Sequence, residues 1–326
     1  MAYEGILVLG EQNYGQIHRV TYELLGKALE LGRLTGQKVE CLILGGQNLS
    51  VEEICMRGAQ KVYLMEGSCF NQANEIIYKD NIVQFIREYK PALILIGATA
   101  FGRSLAPRIA GALNTGLTAD CTDLKADEDG KIIQIRPAFS DNILAHIKTR
   151  TLPQMATVRY KEFPEARYDC TRKIFIEKIP PYSTSCDSVK ITGNHPLDSA
   201  DITDADIVVA AGRGIRKKED MSIIEDLACA LGGITASSRA LVDAGITSSQ
   251  IQVGYSGHRV KPKVYIACGI SGAPQHLAGM KDSDTIIAIN KDASAPIFRI
   301  ADIGYVGDLY EIVPMLTRAF SKEDNQ

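Results

Sequence analysis

The stretch Val264-Tyr265-Ile266-Ala267-Cys268-Gly269-Ile270-Ser271-Gly272-Ala273-Pro274-Gln275-His276 decides how this chain folds. Val264–Cys268 has the length and character of a buried strand, and the glycines and serine that follow make a loop. Pro274 marks a helix start, because the first helical residue has no intrahelical partner for its N–H and a proline loses nothing there. A strand that runs through small residues into a helix is the repeating unit of an open parallel sheet. In such sheets ligands bind beyond the carboxyl ends of the strands, where backbone N–H groups and helix N-termini receive anions. The Gly269–His276 loop is therefore a candidate for a pyrophosphate.

The same grammar extends in both directions. Ile207–Ala211 and Thr285–Ile289 read as further strands. Glu219–Leu231 reads as a helix with Ile223, Ile224, Leu227, Ala228 and Leu231 on one face, and a last helix is expected near Leu309–Phe320. Toward the N-terminus, Ile6–Leu9, Val39–Leu44, Val62–Met65 and Leu93–Ile96 are strand-length apolar runs separated by helical stretches. In the first of these stretches Val20, Leu24, Ala28 and Leu31 form one stripe. Asp127-Glu128-Asp129-Gly130 is a turn between Cys121–Ala126 and Lys131–Ile135, which predicts an antiparallel addition. Proline and hydroxyl residues over Ile179–Ser185 break the periodicity, and a polar stretch follows to about Asp204. The expected fold is α/β, two open parallel-sheet (Rossmann-like) domains at 1–190 and 191–326, the first with the antiparallel addition.

Composition narrows the function. A chain of 326 residues with 45% apolar content has material for two cores. Its 36 basic and 39 acidic residues are interspersed, which gives no field of one sign to draw nucleic acid or a membrane surface. The eight cysteines stand singly, without CxxC or Cys/His spacing, so no metal site is expected and the thiols suit a reducing compartment. Gly5–Gly10 is a strand rather than a signal segment, and charged residues or glycines interrupt every apolar run before membrane-spanning length. A cytoplasmic protein without membrane insertion is the expectation.

Four loops of the second half are candidate pocket walls: Gly212-Arg213-Gly214, Ser237-Ser238-Arg239, Gly269–His276 and Asn290-Lys291-Asp292. Each has a plain structural reading beside the functional one. Gly212 and Gly214 make a tight turn or let backbone approach a ligand beside the Arg213 charge. Ser238 is a helix N-cap or a ligand contact. Arg239 is a first-turn arginine on the unfavourable end of a helix dipole, a placement that makes sense opposite an anionic or electron-rich ligand. His276 is a core histidine or a ligand contact, and Asn290 and Asp308 are turn residues or hydrogen-bonding partners. Arg216-Lys217-Lys218 reads as a solvated face. No Ser/His/Asp, Cys/His or paired-carboxylate constellation is present in the sequence pattern, so no catalytic residue is assigned.

Taken in order, these segments resemble the α subunit of the electron-transferring flavoproteins. The likeness runs through Gly212-Arg213-Gly214, Ser238-Arg239-Ala240, Val242-Asp243-Ala244-Gly245, Gln252–Gly257, Tyr265–Ala273, Gln275–Asp282, Ala288–Asp292 and Ala295–Phe298. The first half adds Gly97-Ala98-Thr99, Gly102-Arg103, Leu105–Arg108, Thr115–Cys121 and Met155–Arg159. The resemblance implies a heterodimer in which the C-terminal domain binds FAD non-covalently and the N-terminal domain packs against a β subunit. It places Arg213, Ser238, Arg239, Val253, Gly254, Tyr255, Ser256, Ser271, Gly272, Ala273, Pro274, Gln275, His276, Asn290, Asp308 and Leu309 against FAD. Among these, Ser256 would lie near flavin N5, His276 near the C2 carbonyl and Arg239 over the ring. The implied role is to shuttle electrons to or from a partner dehydrogenase, commonly an acyl-CoA dehydrogenase.

The loop Tyr255-Ser256-Gly257-His258-Arg259-Val260-Lys261-Pro262 departs from the commoner family pattern, which has glutamine, threonine and a less basic continuation. Its His258, Arg259 and Lys261 resemble versions in anaerobes that bifurcate electrons from NADH to ferredoxin and a second acceptor. NADH and ferredoxin acting through the β subunit are thus expected as further partners. The competing reading is a self-sufficient flavin- or nucleotide-dependent oxidoreductase acting on a small molecule.

Overall fold

A computed structural model describes residues 2–138, 143–186, 188–189, 191–193 and 201–323. These form two separate units, Met1–Asn194 and His195–Gln326. The boundary expected at 190 falls on a residue outside those described.

The N-terminal unit is built on β1 (Ile6–Gly10), a small hairpin of β2 (Gln12–Asn13) and β3 (Gln16–Ile17), β4 (Val39–Gly45), β5 (Lys61–Glu66) and β6 (Leu93–Gly97). It continues with β7 (Leu117–Cys121), β8 (Asp123–Ala126), β9 (Ile132–Ala138), β10 (Ile143–Ile147), β11 (Gln154–Val158) and β12 (Ile176–Ile179). Seven of these make a sheet in the order β12-β5-β4-β1-β6-β11-β7, and every pair in it is parallel. Helices α1 (Arg19–Thr35), α2 (Glu52–Met56), α3 (Glu75–Tyr89) and α4 (Ala100–Leu113) connect the strands.

Alternation along β1 explains why its sequence is apolar throughout. Ile6 and Val8 enter one core with the α1 stripe of Val20, Leu24, Ala28 and Leu31, while Leu7 and Leu9 enter a second core with Ile82, Phe85 and Leu105. A strand buried on both faces has no polar side to show. The antiparallel addition is present as β10-β9-β8, but the chain enters it later than the sequence suggested. Cys121 ends a parallel strand of the main sheet, and β8 begins at Asp123. Two consecutive short strands in different sheets read as one run, because period-2 alternation does not record a change of partner. The turn between β8 and β9 is held by Asp127, whose Oδ1 accepts from the N–H groups of Asp129 and Lys131, with Gly130 at φ 74°.

The C-terminal unit comprises β13 (Ile207–Ala211), α5 (Met221–Ala230), β14 (Ile234–Ser238), α6 (Arg239–Asp243), β15 (Gln252–Val253), β16 (Val264–Cys268), α7 (Pro274–Leu277), β17 (Thr285–Asn290), β18 (Ile303–Val306) and α8 (Leu309–Glu323). Its sheet has the order β15-β14-β13-β16-β17-β18, parallel throughout. Val208, Ala210, Tyr265 and Ala267 bury on one face, and Val209, Ala211, Ile266 and Cys268 on the other. All eight cysteines are free thiols. No helix among the described residues is long and apolar enough to cross a membrane.

Candidate functional site

Because the C-terminal sheet is parallel, the chain leaves each strand at the same edge. Numbered by position in this unit, the strands lie in the order 3-2-1-4-5-6, and the winding reverses between β13 and β16. Loops on the two sides of such a reversal turn away from each other and leave a crevice. An open cavity of about 710 Å³ is formed here by the loops after all six strands, within the roughly 300–1,000 Å³ typical of small-molecule and cofactor sites. Every residue expected from the sequence lines it except Pro274, which is exposed in the first turn of α7. Gln252, Gly214, Lys291 and Gly307 also line it. Gly214 and Lys291 belong to loops that were legible as walls. Gly307 was not, since the short run Ile303–Val306 was not read as a strand and is identified as one by its pairing with β17.

Close backbone packing brings the loops together. A Cβ on Gly212 would lie 2.3 Å from the Gly269 carbonyl oxygen, and one on Gly272 would lie 2.4 Å from the Ile297 nitrogen. Gly212 is therefore needed for loop-on-loop contact and does not itself line the cavity. The Val253–Ser256 loop is tied to α7 by the Tyr255 N–H, which donates to the Gln275 carbonyl at 2.7 Å. Gln252 steadies the same loop by donating from Nε2 to Ser256 Oγ at 3.2 Å.

Polar side chains on the wall divide into those already engaged and those not. Asn290 donates from Nδ2 to the Ile270 carbonyl at 2.9 Å and accepts from the Asp292 N–H, so its amide braces two loops. Asp308 accepts from the Tyr310 N–H at 3.0 Å in the first turn of α8. The carboxylate of Asp243 pairs with Arg239 at 3.4 Å, both side chains being exposed. Arg213 is exposed and makes no hydrogen bond or ion pair among the described residues.

Two other polar residues of the wall, Ser238 and His276, are buried. Ser238 occupies the N-cap position of α6 with extended backbone, yet its side chain makes no capping bond, and its buried Oγ has no partner among the described residues. His276 is 7% exposed. Its Nε2 lies 3.0 Å from the Tyr265 hydroxyl, the Val253 carbonyl is a second polar neighbour of the ring, and Nδ1 has no well-formed hydrogen bond among the described residues. Burial pushes the His276 pKa down to about 4, opposed only by the Val253 carbonyl, so the imidazole is neutral at pH 7. An unmet buried polar atom costs about 1–3 kcal/mol. Ser238 Oγ is such an atom, on a residue of the cavity wall.

The arrangement offers basic groups at Arg213, Arg239 and Lys291, backbone loops and a neutral imidazole. Among the described residues no group of His, Cys, Asp or Glu side chains is arranged to hold a metal ion. The electron transfer flavoprotein domain family matches residues 6–183, and the electron transfer flavoprotein FAD-binding domain family matches residues 201–281. Over 98% of both chains, the sequence is 43% identical to the electron transfer flavoprotein subunit alpha of Thermoanaerobacterium thermosaccharolyticum. It is likewise 43% identical to the subunit alpha of Megasphaera elsdenii, over 98% of this chain and 97% of that one. With the lactate dehydrogenase (NAD(+),ferredoxin) subunit LctC of Acetobacterium woodii it shares 42% identity, over 99% of this chain and 79% of that protein.

Proposed function

This chain belongs to the electron transfer flavoprotein alpha-subunit family, and from that premise we propose that its cavity of six loops is the FAD site. FAD is the cofactor of the family's C-terminal domain, and when bound it supplies one- and two-electron redox chemistry. The observation that carries the placement is the convergence of the loops after all six strands, with Arg213, Arg239 and Lys291 among them, on one cavity at the reversal of strand order. FAD has both phosphate oxygens and a ring edge of carbonyl and nitrogen acceptors, and so suits a wall with hydroxyl and imidazole donors beside three basic side chains. Ser256, His276 and Arg239 are assigned to the isoalloxazine end; Arg213 and the Gly269–His276 loop serve the anionic remainder. These residues bind and orient the cofactor and favour its reduced, more negative forms through preorganised donors. None is required to act as an acid, base or nucleophile toward a substrate.

The reading includes a heterodimer with a β subunit packed against the N-terminal unit, electron exchange with a dehydrogenase, and a cytoplasmic location consistent with eight free thiols. For the partner we favour an acyl-CoA dehydrogenase. Bifurcation with NADH and ferredoxin is supported by the likeness to LctC, whose name includes both NAD(+) and ferredoxin, and by the basic loop of His258, Arg259 and Lys261.

The test is co-expression with a β subunit, with flavin measured by absorbance before and after denaturation. Wild type is expected to release FAD, and Arg213→Ala is expected to hold it more weakly without a change in thermal stability. A complex that shows no flavin after FAD is supplied would remove the reading. Steady NADH turnover with an organic acceptor by the chain alone would favour a self-sufficient oxidoreductase instead.

A further inference from the structure

Gln252 is 7% exposed and begins β15, just before the chain folds back on itself. Its backbone pairs with Ser237 of β14, and its carbonyl accepts from the His258 N–H at 2.7 Å. Within the fold-back the Gly257 N–H donates to the Gly254 carbonyl at 3.1 Å, and the Gly254 N–H donates to the His258 carbonyl at 3.1 Å. A Cβ on Gly257 would stand 2.4 Å from the Gln252 carbonyl oxygen and 3.0 Å from its Cγ, so the turn rests directly on the glutamine.

Ser256 lies in that turn, is exposed and lines the cavity. Its hydroxyl has a single hydrogen-bond partner among the described residues, Gln252 Nε2 at 3.2 Å. An exposed serine ordinarily moves among three staggered rotamers, and a bond to a buried amide selects one of them. The bond also has a direction. A glutamine Nε2 can only donate, whereas a hydroxyl has one proton and two lone pairs. The serine oxygen therefore accepts from Gln252 and keeps its own proton, which no described residue takes. That proton is left for solvent or for a ligand in the cavity.

We propose that Gln252 is a positioning residue that fixes the Ser256 hydroxyl in one rotamer as a hydrogen-bond donor to an acceptor atom of the ligand in this cavity. The consequence for the ligand rests on the FAD reading given above; the Gln252–Ser256 pair does not. Oxidised isoalloxazine presents bare ring nitrogens and carbonyl oxygens at its edge, and a hydroxyl already oriented toward them binds without first giving up rotamer freedom. A free serine on the same turn would pay that ordering cost on binding and would present its lone pairs as readily as its proton. A glutamine buried beneath the loop thus sets both the place and the polarity of a contact that it does not make itself.

The test starts without cofactor, by NMR of the full chain assembled with its partner subunit and carrying glutamine labelled with 13C and 15N. The Gln252 side-chain signals are assigned by their loss in Gln252→Met. Ser256→Ala is expected to shift a Gln252 amide proton and speed its exchange with solvent. Unmoved signals overturn the proposal, as does a shift of the amide carbonyl carbon alone, which would mean that the serine donates to the glutamine. Oxidised FAD is then titrated by fluorescence. Gln252→Met and Ser256→Ala are each expected to weaken it about fivefold, the worth of one hydrogen bond, and the double variant no more than either alone. Raman bands of the bound oxidised ring should move alike in the two single variants, a change that a purely structural glutamine would not produce. Additive losses of affinity, or ring bands that move in Ser256→Ala and stay in Gln252→Met, overturn the proposal. Since the wild-type and Ser256→Ala spectra decide the pair by themselves, a Met variant that fails to fold does not shield it. A Gln252 amide that responds to Ser256→Ala in a complex unable to bind FAD would dismiss the cofactor reading and uphold the pair.

Discussion

One methyl group added at Gly212, a residue that does not line the cavity, is expected to damage the site. The new Cβ would stand 2.3 Å from the Gly269 carbonyl oxygen, 2.6 Å from its carbon and 2.6 Å from Ile270 Cγ1, where contacts under 3.0 Å are not tolerated. Two of the three are backbone atoms, so no side-chain rotation relieves them. The loops after β13 and β16 must part, and the Gly214 N–H bond to the Gly269 carbonyl, already 3.2 Å long, is the first to be lost. Overpacking of this kind costs about 1–3 kcal/mol and a lost hydrogen bond about 1 kcal/mol. Gly212→Ala should therefore lose about 2–4 kcal/mol of stability, measured by denaturant unfolding of the FAD-free complex. It should also weaken FAD at least about tenfold by fluorescence titration, since every 1.4 kcal/mol is tenfold in affinity. Gly111→Ala is the internal control. That glycine is exposed near the end of α4 with nothing within 4 Å of a built Cβ, and the change should add up to about 1 kcal/mol by helix propensity. A Gly212→Ala variant with wild-type stability and flavin affinity would show that the loops are not locked as described.

Three further outcomes are expected. The pKa of His276 is depressed to about 4 in the folded chain, against an unfolded value near 6.5, so its contribution is present above about pH 6.5 and lost as pH falls toward 4. His276→Gln should flatten the acid limb of a plot of unfolding midpoint against pH, and parallel limbs would count against the depressed value. Glu23, 6% exposed and held by the Lys161 N–H at 2.8 Å, has its pKa raised by burial to about 8. A raised carboxyl contributes stability below its unfolded pKa that is lost as pH rises through 8. Glu23→Gln should accordingly raise the thermal midpoint at pH 8 and change it little at pH 5, and equal effects at both pH values would refute the assignment. Arg239→Ala should lower the two-electron flavin potential by roughly 20 mV, the size of one charge acting through a wet surface; a redox titration identical to wild type would take Arg239 out of the site.

Much of the architecture was readable from the chain because burial on both faces leaves a plain mark. The runs at Ile207–Ala211 and Val264–Cys268 coincide with β13 and β16, and the Val20 stripe with the buried face of α1. Less legible were the short or edge elements. β14 and β15 carry few large apolar residues, and β18, although it has Ile303, Tyr305 and Val306, is exposed along its whole length. Their strand identity comes from neighbours that accept their hydrogen bonds, a property no local window contains.

By itself the sequence determined that the chain alternates strands and helices, that it has two units' worth of core, and that glycine, serine and basic residues collect after the strands of the second half. Those are consequences of periodicity and residue type, which act over a few positions. Only the tertiary structure decided that six separate loops share one cavity, that Gly212 serves loop packing rather than a ligand, and that Asn290 is occupied with Ile270. It alone also set Tyr265 beside His276 and left Ser238 Oγ unmet. These depend on strand order and on which atoms meet across tens of residues, and a hydrogen bond is defined by that meeting rather than by either residue alone.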